Sequence, residues 1–269
     1  MIRPPAGQEE TMRVLIITIG CLMGILMTGS GACAGLAESP RSRRVIQRVG
    51  PELERRCREQ GVTLGDPVFI RIFKQEKQLE IWLRTSAGYH CVETFPIACY
   101  SGDLGPKTRQ GDLQAPEGFY WVVPERMNPW SRFHLSFDIG YPNPRDRQLG
   151  YTGGLIMVHG SDVSIGCFAM TDPGIERIYT YVHEAFVKGQ SFIRIHIFPF
   201  RMTDAAMDAH ADSPNAEFWK NLKTGYDFFT RCGVEPDVHA RNGVYSFEVP
   251  ADLRDLVSDD SCQSAGPGL

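Results

Sequence analysis

His159 and Cys167 are the residues whose types and spacing could do chemistry. An apolar run, Leu155-Ile-Met-Val158, delivers the histidine, and the cysteine follows eight residues later behind Gly166. A free thiol titrates near ~8.5, and an imidazole or a helix N-terminus nearby can lower that enough to populate thiolate at neutral pH. Asp172-Pro173 reads as such a helix start, with Asp172 as N-cap. A cysteine nucleophile also needs a base within hydrogen-bond reach and donors aimed at the developing oxyanion. His159 suits the first task. The backbone amides of Gly166 and Cys167 suit the second, since glycine lets the main chain approach a substrate closely. Ser161 and Ser164 are candidates for orienting the imidazole. A buried, inert thiol near a satisfied strand-end histidine fits the same residues, and the pattern by itself leaves both readings open.

Residue order removes several rivals. A cysteine phosphatase needs C-x5-R, and the sixth residue after Cys167 is Pro173. Papain-type peptidases place the cysteine ahead of the histidine. Sortases have the order seen here but want a Thr-Leu-x-Thr-Cys strand, which Ser164-Ile-Gly-Cys167 matches poorly.

The elements that must position the pair read as mainly β with packed helices. Residues 38–60 carry Val45, Ile46, Val49 and Leu53 on one stripe of an otherwise charged helix, broken at Gly61 to Pro67. From Val68 the period becomes two: Val68, Ile70 and Ile72, then Leu79, Ile81 and Leu83, predict a hairpin. A third strand follows over Tyr89–Ile97. Residues 101–118 form a long loop rich in Gly, Pro and charge. Strands are expected at Phe119–Val123, at Phe133 to Ile139 (alternating with His134, Ser136 and Asp138) and at Leu155–Val158. Ile175, Ile178, Tyr179, Val182 and Phe186 mark a helix ended by Gly189, with His183 on its surface. Ser191–Phe198 predicts a strand with Arg194 and His196 on one face, either lining the site or, the preferred reading, towards solvent, and a further helix runs from about 214 to 229. Val238–Arg241 and Val244–Glu248 flank Asn242-Gly243, a type I′ hairpin signal. The tail from Asp259 is polar and expected to be disordered.

Composition sets outer bounds. Charged residues make up 22%, hydrophobic residues 42%, and the formal net charge is -4, which with no basic stripe argues against nucleic acid as partner. Met12-Arg13, the apolar run Val14 to Met27 and Ala32-Cys33-Ala34 form the three parts of a secretory signal, preceded by an extension over 1–11. Export with cleavage near 34 is expected, hence a periplasmic or cell-envelope location. Six cysteines remain after cleavage. If Cys167 works as a thiol, five are left, which cannot all pair within one chain. Cys91 and Cys99 lie ~26 Å apart if extended, against the ~4.4–6.8 Å a disulfide needs. No C-x-x-C pair is present, so a structural zinc site is not expected.

His159-Gly160, with Ser164-Ile165-Gly166-Cys167, resembles the L,D-transpeptidase catalytic domain, also called YkuD-like, whose signature is His-Gly, a spacer, then Ser/Thr-His-Gly-Cys. Phe69-Ile-Arg-Ile-Phe73, Tyr100-Ser-Gly-Asp-Leu-Gly-Pro-Lys107, Pro116-Glu-Gly-Phe-Tyr120, His134-Leu-Ser-Phe137, Met157-Val-His-Gly160 and His196-Ile-Phe-Pro-Phe-Arg201 are similar to its YafK-like branch. Two departures stand out: Ile165 occupies the place of the signature's second histidine, and the spacer is shorter. Acceptor-site geometry therefore does not carry over.

The resemblance implies an L,D-transpeptidase-like β-sandwich over 66–248, after a helical lead-in at 35–65 and before a polar tail at 249–269. It also implies a mechanism without metal or cofactor. The Cys167 thiolate attacks the carbonyl of the third residue of a peptidoglycan stem peptide, usually meso-diaminopimelate in Gram-negative walls. His159 takes the thiol proton and returns it to the leaving amine. An amine then resolves the thioester (transpeptidation), or water does (hydrolysis), the latter releasing a peptidoglycan-linked outer-membrane lipoprotein. A carbapenem-class inhibitor is expected to form an adduct. Arg109 and Lys107 are candidates for holding a stem carboxylate, with His134 and Gly160 as further substrate contacts. A non-catalytic envelope-binding module is the alternative from another class. A working thiol should alkylate well below pH ~8, and an inert core thiol should not.

Overall fold

The computed structural model describes residues 36–257 and 264–265. The segment read as an export signal, with its 1–11 extension, lies outside them, as does most of the polar tail.

Helix α1 (Pro40–Glu59) starts as its sequence dictates. Ser39 accepts from the Ser42 amide while the Ser42 hydroxyl accepts from the Ser39 amide, a capping box, and Pro40 occupies the first turn, where no intrahelical amide is needed. Its buried stripe is Ser42, Val45, Val49, Leu53 and Cys57. Three strands follow, β1 (Val68–Phe73), β2 (Gln78–Thr85) and β3 (Gly88–Pro96), all antiparallel. Farther along the chain come β4 (Gly118–Val122) and β9 (Ile193–Phe198); β9 inserts parallel to β1 and antiparallel to β4. The resulting five-stranded sheet has the order β3-β2-β1-β9-β4.

This sheet is buried on both faces. Ile70, Ile72, Ile195 and Ile197 face one core, and Phe73, Phe119 and Phe198 face another. The first core is closed by α1, by α3 (Asp172–Val187) and by a smaller four-stranded sheet. That sheet comprises β5 (Met127–Asn128), β6 (Ser136–Asp138), β7 (Met157–His159) and β8 (Phe168–Ala169). The second core lies under α5 (Ala216–Cys232) and the hairpin β10 (Asp237–Arg241) and β11 (Val244–Glu248). Short helices α2 (Pro144–Gln148) and α4 (Asp204–Ala209) complete the described fold, with β12 (Ser264–Ala265) pairing β11. The class is α+β, as expected. In the hairpin turn Asn242 and Gly243 have φ of 52° and 75°, the pair of left-handed residues a type I′ turn requires.

Several sequence expectations are corrected here. The expected strand through Phe133 to Ile139 shrinks to β6, because His134 adopts φ 66°, a left-handed conformation that breaks the extended run and leaves Phe133 45% exposed. Leu155 likewise has φ 56° and is 74% exposed rather than central to a strand. His196 is buried against Phe69 and Phe119, and Arg194 is paired with Glu235 and Asp237, because the C-terminal hairpin covers that face of β9. His183 is buried too, between Glu184 and Glu38. The α3 cap is Thr171, whose hydroxyl accepts from the Gly174 amide, and Asp172 is the first helical residue. Helix α4 was not foreseen. Cys91 and Cys99 are both free thiols, in keeping with their spacing, and Cys232 is disulfide-bonded.

One buried ion pair fastens the long 101–118 loop to the sheet. Lys74 Nζ donates to Glu117 Oε1 (2.9 Å) and to the carbonyls of Asp103, Gly105 and Ala115. Trp219 and the Gly105 amide donate to the same carboxylate. Both side chains are wholly buried. Burial pushes the Lys74 ammonium's pKa down, and Glu117 pulls it back. Removing one partner strands the other charge, a loss of about 3–5 kcal/mol. Lys74→Met is therefore expected to lower unfolding free energy by about that amount in urea titration; a loss under about 1 kcal/mol, the size of a surface pair, would show that the loop is held by other means.

Candidate active site

The register of two very short strands places the candidate pair. β7 and β8 run parallel with Val158 opposite Phe168 and His159 opposite Ala169, so Cys167, one residue before β8, falls opposite Met157. The Met157 amide indeed donates to Cys167 Sγ at 3.3 Å. Side chains alternate along a strand. Val158 and Phe168 therefore point into the core, where both are fully buried, while His159 and Cys167 share the opposite face. Both line one cleft of about 520 Å³, together with Lys107, Gln110, Phe133 and Ile165.

The imidazole is held on two sides. His159 Nδ1 lies 2.5 Å from the Gly160 carbonyl. A carbonyl only accepts, so Nδ1 carries the proton and Nε2 keeps its lone pair. The Phe133 ring lies over the imidazole, with centroids 4.8 Å apart and planes at 35°. Among the described residues, no hydrogen bond joins His159 to Cys167; the thiol's second contact is the Leu155 carbonyl at 3.8 Å.

Electrostatics correct the expectation of a thiolate, and with it the expectation that a working thiol here alkylates well below pH ~8. Burial pushes the Cys167 thiol above its ordinary value and Asp138 adds to this, with only partial relief from the Met157 amide and Lys107. Burial also pushes His159 below its ordinary value, partly offset by its bond to Gly160. The resting pair is thus a neutral thiol beside a neutral imidazole. The N-terminus of α3, expected to acidify the thiol, is committed elsewhere: Asp172 accepts from the Ser161 amide, and Thr171 caps the helix.

The remaining sequence candidates fall as follows. Ser164 does not touch the imidazole; its hydroxyl donates to the Cys167 carbonyl (2.7 Å) and accepts from the Gly166 amide (3.2 Å), bracing the turn that presents the thiol. Gly166 has φ 130°, open to glycine alone, but its amide is occupied by that serine. Ser161 contacts Asp162 at 3.5 Å and likewise leaves the imidazole alone. Gly160 is required by space: a Cβ there would sit 2.6 Å from an Asp172 carboxylate oxygen and 2.8 Å from the Phe133 carbonyl.

Arg109 is exposed and does not line the cleft, whereas Lys107 does. The Lys107 ammonium donates to the Arg109 carbonyl and to Asp112. Burial alone would raise the Asp112 carboxyl, but Lys107 and three backbone amides hold it at about 2. His134 lies outside this cleft. It bonds to Glu176 at 2.9 Å and lines a neighbouring open cleft of about 550 Å³ with Asp162 and Asp172. Phe133 borders both clefts, and sequence reasoning missed it. Its loop is tied down by α1: Ser39 donates to the Pro129 carbonyl, and Arg41 donates to those of Ser131 and His134. Among the described residues, no group of three or more His, Cys, Asp or Glu could hold a metal ion, and no helix is long and apolar enough to cross a membrane.

Residues 67–196 match the L,D-transpeptidase catalytic domain, YkuD. The chain is 45% identical over 187 residues to the putative L,D-transpeptidase YafK of Escherichia coli, in strains K12 and O157:H7 alike, covering 70% of this chain and 76% of that protein. Among solved structures it is similar to the helical cell shape determining protein Pgp2 of Campylobacter jejuni, with 20% identity, a TM-score of 0.41 and coverage of 70% of this chain and 67% of that one. A tautomer-fixed histidine and a cysteine on one face of a short parallel strand pair thus lie in a chain that belongs to the L,D-transpeptidase catalytic-domain family.

Proposed function

We propose that the protein is a cysteine acyltransferase acting on peptidoglycan stem peptides, with Cys167 as nucleophile and His159 as general acid and base. The observation that carries this reading is the His159 tautomer: Nδ1–H is bound to the Gly160 carbonyl, so Nε2 is left free to accept a proton on the face that Cys167 shares. As the thiol sulfur forms a bond to the carbonyl carbon of the stem's third residue, its proton passes to Nε2. The Cys167 amide serves the oxyanion, since the Gly166 amide is already bound to Ser164. Collapse breaks the peptide bond, and the imidazolium returns the proton to the leaving amine. The resulting thioester is resolved by an amine or by water. Lys107 lines the cleft and is the candidate for holding a stem carboxylate, which would have to share its ammonium with Asp112 and the Arg109 carbonyl. The protein works in the periplasm, exported by residues 1–34, with 66–248 as its catalytic unit.

The cleft rim suits a stem linked to a lipoprotein, which hydrolysis of the thioester would release. Leu113, Phe133, Leu155 and Ile165 stand 45–81% exposed around it. An apolar collar of this kind suits a polypeptide better than it suits a sugar or a bare stem. Mass analysis of purified sacculi after incubation with the protein distinguishes the outcomes. Loss of lipoprotein-linked muropeptides indicates hydrolysis, and new diaminopimelate–diaminopimelate links indicate transfer. Unchanged sacculi, together with no carbapenem adduct, would support a non-catalytic binding module instead.

Two further outcomes are expected. His159→Gln should slow acylation by roughly a hundred- to ten-thousand-fold, with the thermal unfolding midpoint little changed; a variant as fast as the parent would remove the base from this scheme. Because burial holds the resting thiol above its ordinary range, its alkylation by iodoacetamide should keep rising with pH beyond that of a free cysteine, with no plateau near neutrality. A neutral-pH plateau would indicate a preformed thiolate–imidazolium pair.

A further inference from the structure

The peptide unit between Gly160 and Ser161 is held at both ends. Its carbonyl oxygen accepts from His159 Nδ1, and its N–H donates to Asp172 Oδ1 at 2.9 Å. The bond is trans and therefore planar, with C=O and N–H pointing in opposite directions, so whatever fixes one end aims the other. A carboxylate at the start of α3 is thereby joined to the imidazole through a single rigid group. A carboxylate accepting from an amide also polarises it, which makes the carbonyl at the far end a stronger acceptor.

The backbone on both sides of this bond is strained. Ser161 has φ 64°, and Thr171 has φ 62° with ψ 162°, a conformation that β-branched residues scarcely adopt. Such conformations persist only where the surroundings over-determine them, and they collect at functional sites. Here the Thr171 amide donates to the Ser161 carbonyl at 2.8 Å, which sets the next side chain, Asp172, against the Ser161 amide. Gly160 completes the fit, since a Cβ there would stand 2.6 Å from the same carboxylate oxygen. The other carboxylate oxygen faces His134 Nδ1 at 4.0 Å. The Asp172 side chain is 55% exposed, so packing in the core does not account for its place.

We infer that Asp172 is a positioning residue for His159, acting through the Gly160–Ser161 peptide: it holds the carbonyl that keeps the proton on Nδ1, and it strengthens that carbonyl for the imidazolium formed when Nε2 takes the thiol proton. The hold on the tautomer is independent of the acyl-transfer reading; the strengthening rests on it. The full chain, labelled with ¹⁵N-histidine, is compared as the parent, Asp172→Ala and Asp172→Asn. Nitrogen–proton correlation spectra, taken where the imidazole is neutral, report which ring nitrogen bears the proton.

The parent should show His159 with the proton on Nδ1 alone. Asp172→Ala should show a mixture of both tautomers. It should also acylate about tenfold more slowly at saturating stem tetrapeptide, the size of one hydrogen bond to a charged group, with KM within about twofold. Asp172→Asn keeps an acceptor oxygen and should restore the single tautomer and most of the rate. Asp172→Ser, one bond too short to reach the amide, is the substitute should the alanine variant not fold. A single Nδ1–H tautomer in the alanine variant, a rate equal to that of an acylating parent, or a mixture as full in Asp172→Asn as in Asp172→Ala would overturn the proposal. A parent that does not acylate at all would sink the acyl-transfer reading instead, and the tautomer comparison would still decide whether Asp172 holds the ring.

Discussion

The parallel pairing of β7 with β8 is the constraint on which the site depends. Two strands of three and two residues could not hold a register by themselves, and hydrogen bonds beyond their ends lock it. The Met170 amide donates to the His159 carbonyl, the Thr171 amide to the Ser161 carbonyl, and the Gly160 amide to those of Phe133 and Leu135. The last two need close backbone approach at Gly160, where a side chain has no room. The isolated bridge between Cys99 and Ala169 fastens β8 on its other side. With the register fixed, the alternation of side chains does the rest: the core receives Val158 and Phe168, and the cleft receives His159 and Cys167.

That arrangement sets the chemistry as much as the geometry. A site sunk against an apolar core raises the cost of any charge, so both members of the pair rest neutral. On the proposed scheme, activation falls in the step itself, as the thiol proton passes to the imidazole while the oxyanion develops. The Gly160 carbonyl selects the tautomer, and on the proposed scheme it would also face the imidazolium formed in passing. Phe133 shields the ring from water, and α1 positions Phe133 through Arg41 and Ser39. The lead-in helix, which its charged sequence suggests is peripheral, thus reaches the candidate cleft.

What could be read from the sequence was what depends on near neighbours. The β1–β2 hairpin, the Asn242-Gly243 turn and the helix of Ile175 to Phe186 are local patterns, and each is present. That His159 and Cys167 would share one cleft was legible because they lie close in the chain, in a short glycine-containing segment. His196 and His183 were misjudged because their burial is decided by segments some forty to one hundred and fifty residues away, the hairpin at 237–248 and Glu38. Phe133 alternates like a core residue, and only the left-handed backbone at His134 turns it outward. Ser164 looked like a partner for the imidazole because proximity in sequence does not reveal which neighbour a hydroxyl prefers; here the backbone of its own turn satisfies it.

The central claim is that Cys167 carries the acyl group. Intact-mass analysis, followed by peptide mapping after brief incubation with a stem tetrapeptide and acid quench, tests it most directly. A thioester of the stem tripeptide on Cys167, with loss of the fourth residue, is the expected result, and Cys167→Ala should show none. Acylation of that variant, or a label mapped to another residue of the parent, would contradict the account.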